Sequence, residues 1–480
     1  VSRTREIART AAEIARLSAL PELTAAGNLA LTEAQETLQT LQKEQTALQS
    51  RLGEFSQYRV LASSRLELEE MQQLLRPGEA YYKISMIEEQ AFAQLILPDG
   101  LRSVRLSASV SQLSDMVAAL RDSIVVFENG APVTYPFDVA KARELYLVLF
   151  GELEDEIQQV SHLIYEPDGA LLQLPPTLLI AKQKPVDDYL ERTLDLDADA
   201  FDFTGIDWLG RDKSVSIAVS QRAFADIRSI EPAKAKNEYL GLGQNAEPAA
   251  ALMPASDQSG PSSDRCAWPL NNWQNPISSD ELYLAQSRLG DGGSDVITGE
   301  GFSDTALLRR DDLDDYRIVH FATHGLVTAP RPQCPARPAL LTSFGDESSD
   351  GLLSFKEIFD LRLDADLVIL SACDTAGLAT VAASREAGIS SGGNYALDGL
   401  VRAFVGAGAR SVLASHWPVP DDFDATKTLI SGIFTVGQSL PVGQSLAQTQ
   451  RKMMDDRLTS HPYYWAAFVL VGDGAKVVIE

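Results

Sequence analysis

Leu367-Val368-Ile369-Leu370-Ser371-Ala372-Cys373-Asp374-Thr375-Ala376-Gly377 runs four apolar residues straight into a small, polar turn. An unbroken apolar run of this length, closed by a turn, suits a central strand buried on both faces. Cys373 then falls where the strand ends and the backbone becomes accessible. A second stretch has the same design: Tyr316-Arg317-Ile318-Val319-His320-Phe321-Ala322-Thr323-His324-Gly325. It carries a histidine and a glycine at its own carboxyl edge. Open parallel sheets collect their sites beyond the carboxyl ends of strands. Two neighbouring strands ending in this way bring an imidazole and a thiol over one edge.

Around these two stretches, strands and helices alternate. Ser214 to Val219, Glu238 to Leu242, Asp295 to Thr298, the His324 strand, the Cys373 strand, Ser411 to Ala414 and Trp465 to Val471 read as strands. Leu282 to Leu289, Ser354 to Leu361, Leu397 to Gly406, Asp424 to Phe434 and Val442 to Met454 read as helices, and Ser303 caps one more. Such alternation predicts an α/β fold with a mostly parallel sheet flanked by helices. Residues 211–480 form this subdomain. Residues 76–210 form a smaller mixed α/β unit, with strands at Ala80 to Ile87, Ala91 to Leu97 and Leu101 to Leu106 and helices near Val110 to Leu120 and Val139 to Leu153. Residues 1–75 read as a helical hairpin or coiled coil. Leu31, Leu38, Leu41, Leu48, Leu52 and Phe55 keep seven-residue spacing with a 3/4 split. Gly243 to Asn275 and Thr328 to Ser349 read as loops. The chain opens at Val1, not Met, and reads as a fragment or processed product, which leaves room for an upstream signal or domain.

The formal net charge is -26 over 480 residues. That balance argues against nucleic acid or an anionic membrane as main partner and leaves basic polypeptides as ligands. No apolar run approaches the ~20 residues of a membrane span. Three widely spaced cysteines, Cys266, Cys334 and Cys373, are not a disulfide framework, and they suit a reducing, cytoplasmic compartment.

A thiol attacks as its thiolate, and a nearby imidazole favours that form and protonates a departing amine. The oxyanion of a tetrahedral intermediate needs donors, and the N–H groups of Gly325 and Cys373 are the natural pair. His320, four residues before His324, shares its face of the strand and reads as core filling. His162 stands alone and reads as structural. No spacing supports a zinc site, and no cofactor is expected. Gly388-Ile389-Ser390-Ser391-Gly392 and Gly241-Leu242-Gly243 match fragments of hydrolase and dinucleotide motifs. The first lacks a preceding strand and the second its third glycine, so both read as loop chemistry.

The segments His320 to Gly325 and Leu370 to Thr375 resemble the two signatures of CHAT domains, relatives of caspases and separases. Asp398 to Phe404, Ala407 to Arg410, Ser415 to Val419 and His461 to Phe468 continue the resemblance. It covers roughly residues 160–480, and more weakly 76–160. Ala376 departs from the glycine many relatives carry after Thr375. The resemblance implies a caspase-like α/β fold, a proteolytic dyad of Cys373 and His324, a polypeptide substrate and helical repeats upstream. It also implies a carboxylate for a basic substrate side chain just before the scissile bond. Asp421 and Asp422 follow Trp417 at a similar distance, with Asp421 preferred; the alternative is that both merely begin a helix at Asp424. Asp374 would raise the thiol pKa and has no assigned role. A scaffold that binds proteins without cleaving them, and a peptidase switched on by a partner through the N-terminal helical region, are the competing expectations.

Overall fold

The computed structural model describes residues 66–128, 131–248, 268, 270–290, 293–326, 338–371, 400–417, 424–437 and 439–479, with Thr10, Leu31 and Thr37. Cys373, Asp421, Asp422, most of the N-terminal heptad segment and the Gly388 to Gly392 string lie outside these residues.

Eleven strands make one sheet. They are β1 (Glu79–Ile87), β2 (Gln90–Leu97), β3 (Gly100–Ser109), then, past a small β4 (Val126–Glu128) and β5 (Ala131–Val133) hairpin, β6 (His162–Glu166), β7 (Ser214–Ile217), β8 (Asn237–Asn245), β9 (Ser294–Gly299) and β10 (Tyr316–Ala322). A separate small sheet follows, of β11 (Gly325–Leu326), β12 (Ala339–Leu341) and β13 (Leu352–Ser354). The main sheet is completed by β14 (Leu367–Ser371), β15 (Ser411–Ser415) and β16 (Phe468–Gly472). The order across it is β3-β2-β1-β6-β7-β16-β15-β14-β10-β8-β9. Strands β9, β8, β10, β14 and β15 run parallel, as do β1, β6 and β7, while β16 runs antiparallel to β15 and β2 antiparallel to β1 and β3. The sheet is continuous through residue 210, since β6 pairs with β7.

The mostly parallel α/β architecture expected from the alternation is therefore present. Leu367 to Leu370 have no exposed surface, as a strand covered on both faces requires. On one face Phe321 packs against Phe404 of the helix Leu400–Ala407. On the other, Tyr239 meets Phe434 of the helix Ala425–Val436. Gly241 and Gly243 lie within β8, so they belong to a strand and not to a loop. The stretch read as a loop after Thr328 also differs: it contains β12, which pairs with β11 and β13. Three-residue strands are too short to carry a legible alternation.

Candidate functional site

Strand β10 sets the geometry. Its last residue, Ala322, is level with Ser371 of β14 and with Gly243 of β8. The ladder continues one residue further, with the Thr323 N–H donating to the Ser371 carbonyl at 3.3 Å. Thr323 is buried, and its hydroxyl donates to the Leu341 carbonyl at 2.6 Å. The Leu341 N–H in turn donates to the His324 carbonyl at 2.9 Å, and Gly325 pairs with Leu340. Thus β12 grips the backbone as it leaves the sheet. His324 and Gly325 are half-buried at the carboxyl edge.

The His324 ring has a defined partner. Its Nε2 lies 2.6 Å from the Asn275 carbonyl oxygen. A carbonyl only accepts, so Nε2 carries the hydrogen and the Nδ1 lone pair is left to take up a proton. A base nitrogen oriented by a third group is the arrangement an activated nucleophile requires. The sequence did not reveal Asn275, because the functional atom belongs to its backbone. Only the following Pro276, which favours an extended residue before it, marks the position.

His320 does not reach His324. It is fully buried, with Nδ1 2.9 Å from the Tyr239 hydroxyl and Nε2 3.5 Å from Glu281. Burial, with Glu281 close by, drives the Tyr239 hydroxyl well above its usual pKa, so it stays protonated. His162 is likewise buried, between Glu79 at 3.1 Å and Ser216 at 2.9 Å.

The next strand along, β15, is followed directly by His416 and Trp417. Trp417 is buried and its indole N–H donates to the Tyr463 carbonyl at 3.0 Å. Arg121, from the helix Val110–Ile124, donates to the carbonyls of Gln173 at 2.7 Å and His416 at 3.4 Å, and lies over the Trp417 ring. Burial, aided by that guanidinium, pushes His416 down to about 3. His461 donates through Nε2 to the Tyr135 carbonyl at 2.8 Å, and burial pushes it down to about 4. Both are neutral, buried rings at a seam between the first part of the sheet and the second. Among the described residues no cluster of three or more His, Cys, Asp or Glu is arranged to hold a metal ion, and no helix is long and apolar enough to cross a membrane.

The CHAT domain family matches residues 139–473. Among curated proteins, tetratricopeptide repeat protein 28 of Mus musculus is 31% identical over 250 residues, which is 45% of this chain and 9% of that protein. Its Homo sapiens counterpart is 28% identical over 250 residues, again 45% of this chain and 9% of the relative. The chain thus spans only a small part of these relatives' length. Among solved structures, the separase–securin complex of Saccharomyces cerevisiae matches with a TM-score of 0.41 and 9% identity, covering 87% of this chain and 31% of that one. The Arg-specific cysteine proteinase gingipain R matches with a TM-score of 0.36 and 11% identity, covering 76% and 74%.

Proposed function

The chain belongs to the CHAT domain family, and from that premise we propose that it is a cysteine endopeptidase in which Cys373 is the nucleophile and His324 its base. The observation that carries this reading is the His324 ring, held by Asn275 with Nδ1 left to accept. Its surroundings add support. His324 comes two residues after Ala322, and Cys373 two residues after Ser371, the residue level with Ala322. Two residues of chain reach at most about 7 Å, which supports the proposal that Cys373 acts at the edge that holds the imidazole.

In the reaction, Nδ1 of His324 takes the thiol proton and the Cys373 sulfur bonds to the peptide carbonyl carbon. The carbonyl becomes an oxyanion. Collapse breaks the C–N bond, and His324 returns the proton to the departing amine. Water then hydrolyses the thioester with the same base. The Gly325 and Cys373 N–H groups are the proposed oxyanion donors. Support for Gly325 comes from the ladder: the Leu341 bond to His324 makes Gly325 and Leu340 a non-hydrogen-bonded pair, so the Gly325 N–H is not used against β12. Asp421, with Asp422 second, is proposed to receive a basic side chain before the cut. The substrate is a polypeptide, cleaved in a reducing compartment such as the cytoplasm, where a sparse set of cysteines stays free. A partner acting through the N-terminal segment is proposed to control activity.

The test is labelling with a thiol-reactive peptide analogue alongside peptide cleavage. The parent should label at Cys373, and Cys373→Ala should not. His324→Ala should lower the cleavage rate by roughly 10²–10⁴-fold, the usual weight of a general acid–base group. Equal labelling of the parent and Cys373→Ala would sink the reading. The repeat-protein names of the curated relatives favour a second reading, a binding scaffold. It predicts no cleavage with or without candidate partners.

A further inference from the structure

We propose that Asn245 and Trp273 are positioning residues for the His324 imidazole, acting through the Asn275 carbonyl. The proposal rests on the reading of His324 as the base. Asn275 sits in no helix or strand, yet its carbonyl is the atom that orients the ring. Something must hold that carbonyl still, and the short turn just before it does so. Leu270–Trp273 is one 3-10 turn, and Trp273 is two residues from Asn275.

Trp273 is 2% exposed and is fixed from both ends of the residue. Its indole N–H donates to the Thr342 carbonyl at 2.8 Å. Its own carbonyl accepts from the Asn245 side-chain amide at 3.0 Å. Asn245, 3% exposed, is the last residue of β8, the strand beside β10. Thr342 directly follows Leu341, whose N–H holds the His324 backbone carbonyl. The connections therefore close on themselves: β12 holds the His324 backbone and the Trp273 side chain, and the segment after Trp273 holds the His324 ring.

The socket for the indole is specific. Gly351 has φ +74°, and a Cβ there would stand 2.9 Å from the Trp273 ring nitrogen. Its carbonyl accepts from the Thr342 N–H at 2.8 Å, and Phe344 packs against the indole at 5.2 Å between ring centroids. An apolar residue of the right size would fill this space equally well. The indole N–H and the Asn245 amide add direction, and direction is what a base nitrogen needs.

The experiment uses the full chain and three variants: Trp273→Phe, Asn245→Ala, and benzothienylalanine installed at 273, which keeps the indole shape without its N–H. Histidine rings are labelled with ¹⁵N, and the His324 signals are assigned by their loss in His324→Gln. In the parent, His324 should carry its hydrogen on Nε2, with slow exchange against water. In the variants that N–H should exchange more than tenfold faster, and kcat on a cleaved peptide should fall roughly ten- to a hundredfold with KM within about twofold. Thermal unfolding of the same samples reports folding, and the benzothienyl variant keeps the test decisive where the others unfold. A parent hydrogen on Nδ1, or unchanged Nε2 exchange in a folded benzothienyl variant, overturns the proposal. If exchange speeds up as expected but neither parent nor variants cleave any peptide, the brace stands and the peptidase reading alone fails.

Discussion

Asp421 and His324 owe their proposed roles to different kinds of signal, and they fail differently when changed. A carboxylate in a pocket pairs with a guanidinium by two parallel hydrogen bonds, so Asp421→Asn should remove preference and leave chemistry. Peptides with Arg or Lys before the cut should lose roughly 2 kcal/mol of kcat/KM advantage over an Ala peptide, while the Ala peptide is cut as before. An unchanged Arg-to-Ala ratio in Asp421→Asn, with loss in Asp422→Asn, would move the pocket by one residue. Loss in neither would return both aspartates to the helix start at Ala425. His324 stands out as a candidate because a polar, titratable residue at the end of an apolar run is chemically out of place. Asn275 does not, since a backbone carbonyl has the same sequence signature in every residue. Trp273 and Asn245 were hidden for a related reason: each reads as a loop residue until the fold shows it buried with its polar atoms paired.

Long apolar or periodic runs were the most legible, and the four-residue β7 was read as well, but the helices Gln183–Arg192 and Gln221–Ser229, with mostly polar sequences, were not. β1, β2, β10, β14 and the helix Val442–Met454 fall where their hydrophobic patterns put them. β11, β12 and β13 escaped reading, although they hold the His324 backbone. The turn joining the helix Leu400–Ala407 to β15 shows how a short connection constrains its residues. Gly408 adopts φ +120°, and a Cβ there would lie 2.0 Å from the Leu363 carbonyl oxygen. The same turn closes on that segment through the Leu363 N–H, which donates to Ala407 at 2.9 Å. Gly408→Ala therefore meets both backbone strain and a backbone clash. It should destabilise the chain by about 3 kcal/mol. The check is a urea midpoint: a large drop at constant slope is expected, and a shift under about 0.5 kcal/mol, the range of ordinary surface changes, would show that the turn yields freely.

Across the molecule, the sheet is one body, but its two parts are joined by buried polar contacts as well as by strands. Arg121 reaches the His416 carbonyl, His461 reaches the Tyr135 carbonyl, and Arg228 bridges Glu79 to Asp473 at 2.8 Å on each side. The titratable groups buried at this seam, His416, His461 and Glu79, give it a pH dependence whose sign can be worked out. Burial holds His416 near 3 and His461 near 4, below the ~6.5 of an unfolded chain. Both rings fold in the neutral form, so their contribution is complete above the unfolded value and is lost as pH falls below it. Burial alone would raise the Glu79 carboxyl, but hydrogen bonds from His162 and Arg228 overcome it and hold the group at about 2. Its contribution is present above the unfolded carboxylate range and is lost on further acidification. The histidines therefore act first. Between pH 6.5 and about 4, two depressed histidines make stability fall by up to about 2.7 kcal/mol per pH unit, at ~1.4 for each proton taken up on unfolding. Below about 4.5 Glu79 adds a further proton. Urea midpoints measured at half-unit steps from pH 8 to 4.5 should be flat above about 7 and decline below it. His416→Gln should remove about one proton from the slope, whatever it does to the plateau. A midpoint independent of pH between 6.5 and 5, or a slope that His416→Gln leaves unchanged, would mean that these rings are not the neutral groups buried at the seam.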